Sequence, residues 1–443
     1  MKTSSLVSLL SAVVPALAAP NGLTRRDDPA FIEGKYIVQL KPGTSAEAVT
    51  AHHNTVRSLL RRRDGSAGAL EETFQIGDFN AYSGSFDDTT LAAISELDEV
   101  LAVERDQVIR VDQTEGTSTI LSDRALTTQA NSIWSLGDLS HLEAGATEYV
   151  YDETAGEGTT AYVLDTGIRL SHEEFEGRAS FGINAVTGST TPNGTNSDTD
   201  GHGTHVAATI VGKTYGVARK AKVIDVKVFD GNTVTLPSKF LSISPPCQVH
   251  SLTSSQGSTS SILTGITWAV NDIVSKGARG KSVLNMSLSG RNIPAMDNAV
   301  LAAYNEGVLA VVAAGNEDQP ANETSPARLP EAFTVGMTQA DRARVSIMEG
   351  IYGSSYGPEL DVFAPGRDIV SASHLSDTGS RSSTGTSMSS PLVAGLVCYL
   401  RGLGGGFGTP KEVTDRILEL AIPDAVADPM GSPNLLVNNG SGR

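Results

Sequence analysis

Five stretches of this chain are apolar almost without interruption: TTAYVLDTGI (159–168), AKVIDVKVF (221–229), KSVLNMSL (281–288), GVLAVVAAGN (307–316) and AFTVGM (332–337). A strand with one wet face alternates apolar and polar residues. Runs like these are expected where both faces of a sheet are covered, which is the situation of a parallel sheet between two layers of helices. The segments between them fit that arrangement. In SSILTGITWAVNDIV the spacing of Ile262, Ile266, Ala269 and Ile273 predicts a helix with one buried face. Ligand sites in such α/β sheets lie beyond the carboxyl ends of the strands, so the polar residues there carry the functional information.

The region before Ala125 has another texture. Its first 18 residues, MKTSSLVSLLSAVVPALA, carry one Lys, an apolar run and a small-residue ending, the pattern of a secretory signal peptide. No later run reaches the roughly 20 apolar residues of a membrane helix. Residues 19–124 are rich in charge and predict a small α+β unit, spanning about 35–112: strand KYIVQLK, a helix over 45–60, strand FNAYSGSF, helix DDTTLAAISEL with an Asp cap, and strand VLAVERDQVIRV. The sequons at Asn193, Asn322 and Asn439 are usable in an exported chain. The sequon at Asn285 follows Val283 and Leu284 in a buried run and is not expected to be used. A formal charge of −17 argues against nucleic acid as a partner. Two cysteines, Cys247 and Cys398, are too few for a disulfide framework or a thiolate metal site.

Three polar residues stand where chemistry is expected. Asp165 ends a buried strand, His202 sits in DGHGTHVA just before a helix, and Ser387 opens an apolar helix in STGTSMSSPLVAG. Taken singly, each has a bland reading: a turn residue, a loop histidine, a helix cap. Together they supply a nucleophile, a base to take its proton and an anion to hold the base. Asn316, at the end of the GVLAVVAAGN strand, could donate to a developing oxyanion beside the Ser387 backbone N–H. A zinc site at His202 and His205 lacks the H-E-x-x-H glutamate and a third ligand, so no metal is assigned.

These motifs, with ALTTQANSIWSLGDLSH, HEEFEGRAS, GKTYGVA, NMSL and ELDVFAPG, resemble the subtilisin-like serine proteases, and in particular the proteinase K branch and fungal alkaline proteases. The resemblance covers nearly all of 125–443 and implies a three-layer, parallel-sheet catalytic domain preceded by a propeptide over 19–124. The implied roles are Asp165 as orienting acid, His202 as general base, Ser387 as nucleophile and Asn316 as oxyanion donor. It further implies substrate contacts at Ser287, Leu288, Ser289 and Gly290, one wall of the primary specificity pocket, and at the edge Gly257, Ser258 and Thr259, where substrate pairs as an added strand. Protein and peptide substrates, a broad apolar preference, the chain's own propeptide as inhibitor, and a monomer cut near Arg124–Ala125 are the expectations. A fold retained for binding or inhibition, without activity, is the alternative.

The chain departs from the family pattern at several points. Ser289 replaces a Gly of the pocket wall, and Ala208 a Gly behind the catalytic His. Gln339 stands where calcium-binding relatives carry a ligand Asp, and a neutral amide is a poorer calcium ligand. No cofactor is assigned, and any structural calcium is left unplaced. Between Ile347 and Ser354 the chain is about six residues longer than the family's usual form by this reading. The largest departure is the Ser-, Thr- and Pro-rich block Val234–Gln256. Deleting these 23 residues restores the family's short loop. Val is coded by GT-something and Gln by CAG or CAA, so the block reads as an unspliced intron, or else as an atypical insertion over the substrate cleft.

Overall fold

The computed structural model describes residues 30–61, 68–111, 114–116, 128–231, 255–347, 353–404 and 406–441. The signal-peptide region, most of the Val234–Gln256 block, the extra residues after Ile347 and the Arg124–Ala125 junction lie outside these residues.

The N-terminal unit is built from β1 (Phe31–Leu40), α1 (Ala46–Arg61), β2 (Ala69–Ile76), β3 (Phe79–Ser85), α2 (Asp88–Ser95) and β4 (Val100–Val111). The Asp87 side chain caps α2 by accepting from the Thr90 backbone N–H at 2.7 Å, as the sequence predicts. The unit has its own small core of Val38, Leu40, Val56, Tyr82, Phe86 and Ile94. One strand escaped the sequence reading. In ALEETFQI burial alternates along the strand, but Glu72 takes an inward position, where it accepts from the Thr264 hydroxyl.

The larger unit is organised on a nine-stranded sheet. Its strands are β6 (Thr160–Asp165), β7 (Ala179–Asn184), β8 (Lys222–Lys227), β10 (Ser282–Met286), β11 (Leu309–Ala313), β12 (Phe333–Thr338) and β13 (Val362–Pro365), with two short strands at Ile422–Pro423 and Leu435–Leu436. Seven strands run parallel in the order β13, β12, β11, β10, β6, β8, β7. The sequence leaves β6 in one direction for β8 and β7 and in the other for β10 to β13, so the switch point lies between β6 and β10.

Alternate residues of these strands enter two separate cores. Ala161, Val163, Val283, Leu309 and Val311 face one, with α3 (His202–Val211) and α6 (Thr386–Gly402). Tyr162, Leu164, Leu284, Met286, Ala310 and Val312 face the other, with α4 (Thr259–Ser275) and α5 (Pro294–Asn305). That is the three-layer α/β architecture expected from runs apolar on both faces. Ala208 is fully buried in the first core, where its methyl is accommodated on an unbroken α3. The N-terminal unit packs on the second layer through Ile37, Phe74, Ile76, Ala81 and Ile109.

Three further strands matter for function: β5 (Thr114–Gly116), β9 (Ser255–Ser258) and the hairpin β14 (Ile369–Ala372) with β15 (Ser380–Thr384). The strand β9 joins the edge of the N-terminal sheet, and β5 joins β15.

Candidate active site

Asp165 is the last residue of β6, and one of its carboxylate oxygens accepts the Thr166 backbone N–H at 2.7 Å. The same oxygen lies 2.7 Å from His202 Nδ1. A carboxylate can only accept there, so Nδ1 carries the proton and Nε2 is left as the basic nitrogen. Nε2 is buried and has no hydrogen-bond partner among the described residues. Burial pulls the His202 pKa down, but the charge and hydrogen bond of Asp165 outweigh it, and the net shift is upward.

The turn that delivers His202 is held by Asp198. One of its oxygens accepts from Thr166 Oγ1 at 2.8 Å and from the backbone N–H groups of Asp200 and Gly201 at 3.1 and 2.8 Å. The other accepts the N–H and hydroxyl of Thr204 at 2.9 and 2.5 Å. Gly203 must be glycine for space: a Cβ there would stand 2.2 Å from the Gly167 carbonyl oxygen. His205 is structural. Its Nε2 lies 2.8 Å from the Ile369 carbonyl oxygen, and burial drives its pKa down to about 3, which keeps the ring neutral.

Ser387 is the second residue of α6, following Gly385 at φ +155°, and its backbone N–H lies among the free donors of the first helical turn. Its hydroxyl donates to the Ser287 carbonyl at 3.3 Å, a long bond in this resting arrangement. Asn316 follows β11. Its side-chain oxygen accepts the N–H and hydroxyl of Thr386 at 2.8 and 3.0 Å, so its amide hydrogens are the part left to donate beside Ser387. Ser287, just after β10, is tied to α6: its hydroxyl donates to the Ser387 carbonyl at 2.9 Å and receives Asn285 Nδ2 at 2.9 Å. His202 is 0 % exposed and Ser387 6 %, so the site is closed in this form of the chain.

The N-terminal unit docks on the edge strand beside it. Its strand β4 pairs antiparallel with β9, placing Val108, Ile109, Arg110 and Val111 opposite Ser258, Gly257, Gln256 and Ser255. Of the Val234–Gln256 block, Ser255 and Gln256 are thus described, as half of this edge. Ile109 is buried in the core that holds Leu288 and Ile293, and Gly290 lies against it; Ser289 and Gly290 are half-buried. Thr259, expected in the edge, is instead the first residue of α4, where its hydroxyl accepts the Gln107 backbone N–H at 3.3 Å. Two acids on β4 hold helix ends. Asp106 accepts the N–H and hydroxyl of Ser260 at 3.2 and 2.7 Å, at the start of α4. Glu104 accepts Gln39 Nε2 at 2.7 Å, and the Ala295 N–H at the start of α5 favours its charged form. Burial raises the pKa of both, that of Glu104 to about 7.

The sequence reading missed Glu104, Asp106, Asp198 and Asp225. Their signal is an acid where a strand or turn should be apolar or neutral, Asp225 in the middle of AKVIDVKVF above all. Its side chain is fully buried and accepts from the Ser197 hydroxyl. Burial raises its pKa to about 7. Of the expected glycosylation sites, Asn193 and Asn322 are exposed. Asn439 is buried, its Nδ2 donating to the Val150 carbonyl at 2.9 Å, which leaves no room for a glycan in this fold. Asn285 is fully buried, in keeping with the expectation. Gln339 accepts from Arg367 at 2.7 Å and donates to Asp341, so its amide is engaged by protein groups. Among the described residues no cluster of three His, Cys, Asp or Glu side chains could hold a metal.

A buried Asp165–His202 pair at the carboxyl end of β6, with Ser387 at the start of a helix packed on the same sheet, is the residue set of a serine hydrolase of the α/β class. Residues 156–440 match the model of the subtilase family, and residues 35–112 that of the peptidase inhibitor I9. The chain belongs to the subtilase family of serine endopeptidases. It is 45% identical to alkaline protease 1 of Aspergillus clavatus, over 98% of both chains. To the alkaline proteinase of Hapsidospora chrysogena it is 44% identical, over 99% of this chain and 98% of that one. The crystal structure of a cold adapted subtilisin-like serine proteinase superposes with a TM-score of 0.58 at 34% identity, covering 70% of this chain and 99% of the other. Fervidolysin from Fervidobacterium pennivorans, at 20% identity and a TM-score of 0.63 over 94% of this chain and 61% of its own, shares the fold. The chain is therefore a zymogen: a subtilase domain with its inhibitory propeptide in place.

Proposed function

We propose that Ser387 is the nucleophile of this peptidase, His202 its general base and Asp165 the anion that orients the base. Ser387 Oγ attacks the carbonyl carbon of an extended substrate segment while His202 Nε2 takes its proton. Asn316 Nδ2 and the Ser387 N–H stabilise the oxyanion; His202 then gives the proton to the leaving amine, and water hydrolyses the acyl-enzyme. The observation that carries this reading is the Asp165–His202 contact of 2.7 Å, which fixes the tautomer and leaves Nε2 as the base. The edge at Gly257 and Ser258 and the segment Ser287–Gly290 bind substrate as an added strand, with a broad apolar preference. The enzyme acts on extracellular proteins as a monomer, exported by its first 18 residues and cut near Arg124–Ala125 to give the mature N-terminus. Among the described residues no helix is long and apolar enough to cross a membrane.

A fluorophosphonate probe applied to the processed protein tests the assignment. Labelling that disappears in Ser387→Ala supports it; an unlabelled, correctly folded wild type favours the inactive binding fold instead. The block Val234–Gln256 is proposed to be an unspliced intron, and sequencing the mature transcript across the codons for Phe229–Ile262 decides it. Transcripts that retain the block make it a true insertion beside the cleft.

A further inference from the structure

His202 stands among acids. Asp165 bonds its ring at 2.7 Å, Asp200 accepts its backbone N–H at 3.2 Å, and Asp198 holds the turn that carries it. Carboxylates so placed favour the imidazolium, and an imidazolium cannot take a proton from Ser387. One cation faces the same turn. Arg381 lies on β15, opposite Ser371 of β14, on the strand that leads into the helix of Ser387. Its Nη1 donates to the Asp200 carbonyl at 3.3 Å. The guanidinium packs on Gly201, the residue before His202, where a Cβ would stand 2.5 Å from Nη1. Gly201 is the N-cap of α3 at φ +102°, so both backbone and space reserve the position for glycine. The hairpin that carries Arg381 is fixed to the segment following Asp165. Arg169 Nε donates to Asp377 at 2.6 Å, and its Nη1 donates to the His374 carbonyl at 2.9 Å.

We propose that Arg381 is a positioning residue of the catalytic site, a fixed cation that holds the Asp200–Gly201 turn and works against a second positive charge on the His202 ring. The inference rests on His202 acting as general base. A guanidinium keeps its charge at every working pH, so Arg381 supplies a constant field and does not itself switch. Burial pulls the His202 pKa down, Asp165 and then Asp200 push it up, and Arg381 pulls it down again. At His205, behind the turn, burial and then Arg381 act in one direction, and that ring stays neutral. The remaining charged and titratable groups around the base are Lys227, His374 and the Arg169–Asp377 pair. Lys227, at the end of β8, donates to the Thr166 carbonyl at 2.6 Å. The His374 ring lies beside the guanidinium, its Nδ1 2.2 Å from the place of a Gly201 Cβ. All of these are unchanged by a substitution at Arg381. A neutral amide can still donate to the Asp200 carbonyl, but only a cation opposes the imidazolium. The two parts of the role are therefore separable by experiment.

The test compares the processed wild type with Arg381→Gln and Arg381→Lys, reading kcat and kcat/KM on a chromogenic peptide across the acid and alkaline limbs. In Arg381→Gln the acid limb of kcat/KM is expected to move up by about half a pH unit, roughly a threefold loss on that limb, with the alkaline plateau little changed. Arg381→Lys keeps the charge and is expected to restore the limb. Arg381→Met is the second neutral variant, for use if Arg381→Gln does not mature, and carries the same expectation. An unmoved limb in the neutral variants overturns the proposal. So does a loss of equal size at every pH, or a limb displaced as far in Arg381→Lys as in Arg381→Gln. Fluorophosphonate labelling of the wild type over the same range separates the two levels of the argument. Labelling that rises with the kcat/KM limb, together with an unmoved limb in the variants, removes this inference and leaves His202 as the base. A wild type that is labelled at no pH removes both.

Discussion

The grip of the propeptide is expected to loosen as the pH rises, and Glu104 is the lever. Its carboxylate is held against the N-terminus of α5, where burial raises its pKa from 4.5 to about 7; Gln39 and the Ala295 N–H oppose the shift, and Asp297 and Asp106 add to it. A carboxyl group whose pKa is raised on docking favours the docked state when protonated. Docking is therefore firmest below the free value of 4.5, weakens as the pH climbs, and has lost this contribution above about 7. At ~1.4 kcal/mol for each pH unit of displacement, the ceiling is about 3 kcal/mol, or a few hundred-fold. Glu104 is only partly buried, so solvent screening reduces this to about ten- to a hundredfold. Asp106, raised by burial at the start of α4, acts in the same sense. The assay uses the cut but undissociated complex of the whole chain. The propeptide dissociation constant, read from the activity released, is measured from pH 5 to 9 in wild type and Glu104→Gln. The variant is expected to be flatter, and about tenfold tighter than wild type at pH 8. His52, in the propeptide core, has a pKa lowered by burial and weakens that domain at acid pH, but it is common to both proteins. A Glu104→Gln profile as steep as wild type refutes the reasoning.

Asn316→Ala removes one oxyanion donor and should lower kcat about 10²- to 10³-fold with little change in KM; an unchanged kcat would show that the amide does not face the oxyanion. Asp225 is fully buried with its pKa raised to about 7, so it costs stability as the pH rises from the carboxylate range through 7. Asp225→Asn, made in a Ser387→Ala background, is expected to raise Tm at pH 8 by an amount that vanishes near pH 4, with a ceiling on the order of 4 kcal/mol. A lower Tm at pH 8 means the charge is required there. Glycopeptide mapping of the secreted protein is expected to find glycans at Asn193 and Asn322 and none at Asn439; an occupied Asn439 would require the C-terminal segment to pack differently.

What could be read from the chain alone divides along a physical line. Asp165, His202, Asn316 and Ser387 were legible because each sits where a periodic element ends, and the ends of parallel strands are where such a fold can present polar groups. The layers were legible because a strand covered on both faces must be apolar throughout. The strand β2 was not, since Glu72 stands on its inward side between Leu70 and Phe74 and hides the alternation. Glu104 and Asp106 were visible as acids of like spacing on one strand, but spacing cannot tell a solvated face from one that meets the N-termini of two helices. The course of the tail was the least legible feature. Val108 to Val111 read as a strand in either case; whether its second edge meets water or Ser255–Ser258 depends on residues far away in sequence. The one local sign was the length of chain, Gln113 to Arg124, between that strand and the motif beginning at Ala125. Of those residues, Thr114–Gly116 pair antiparallel with β15.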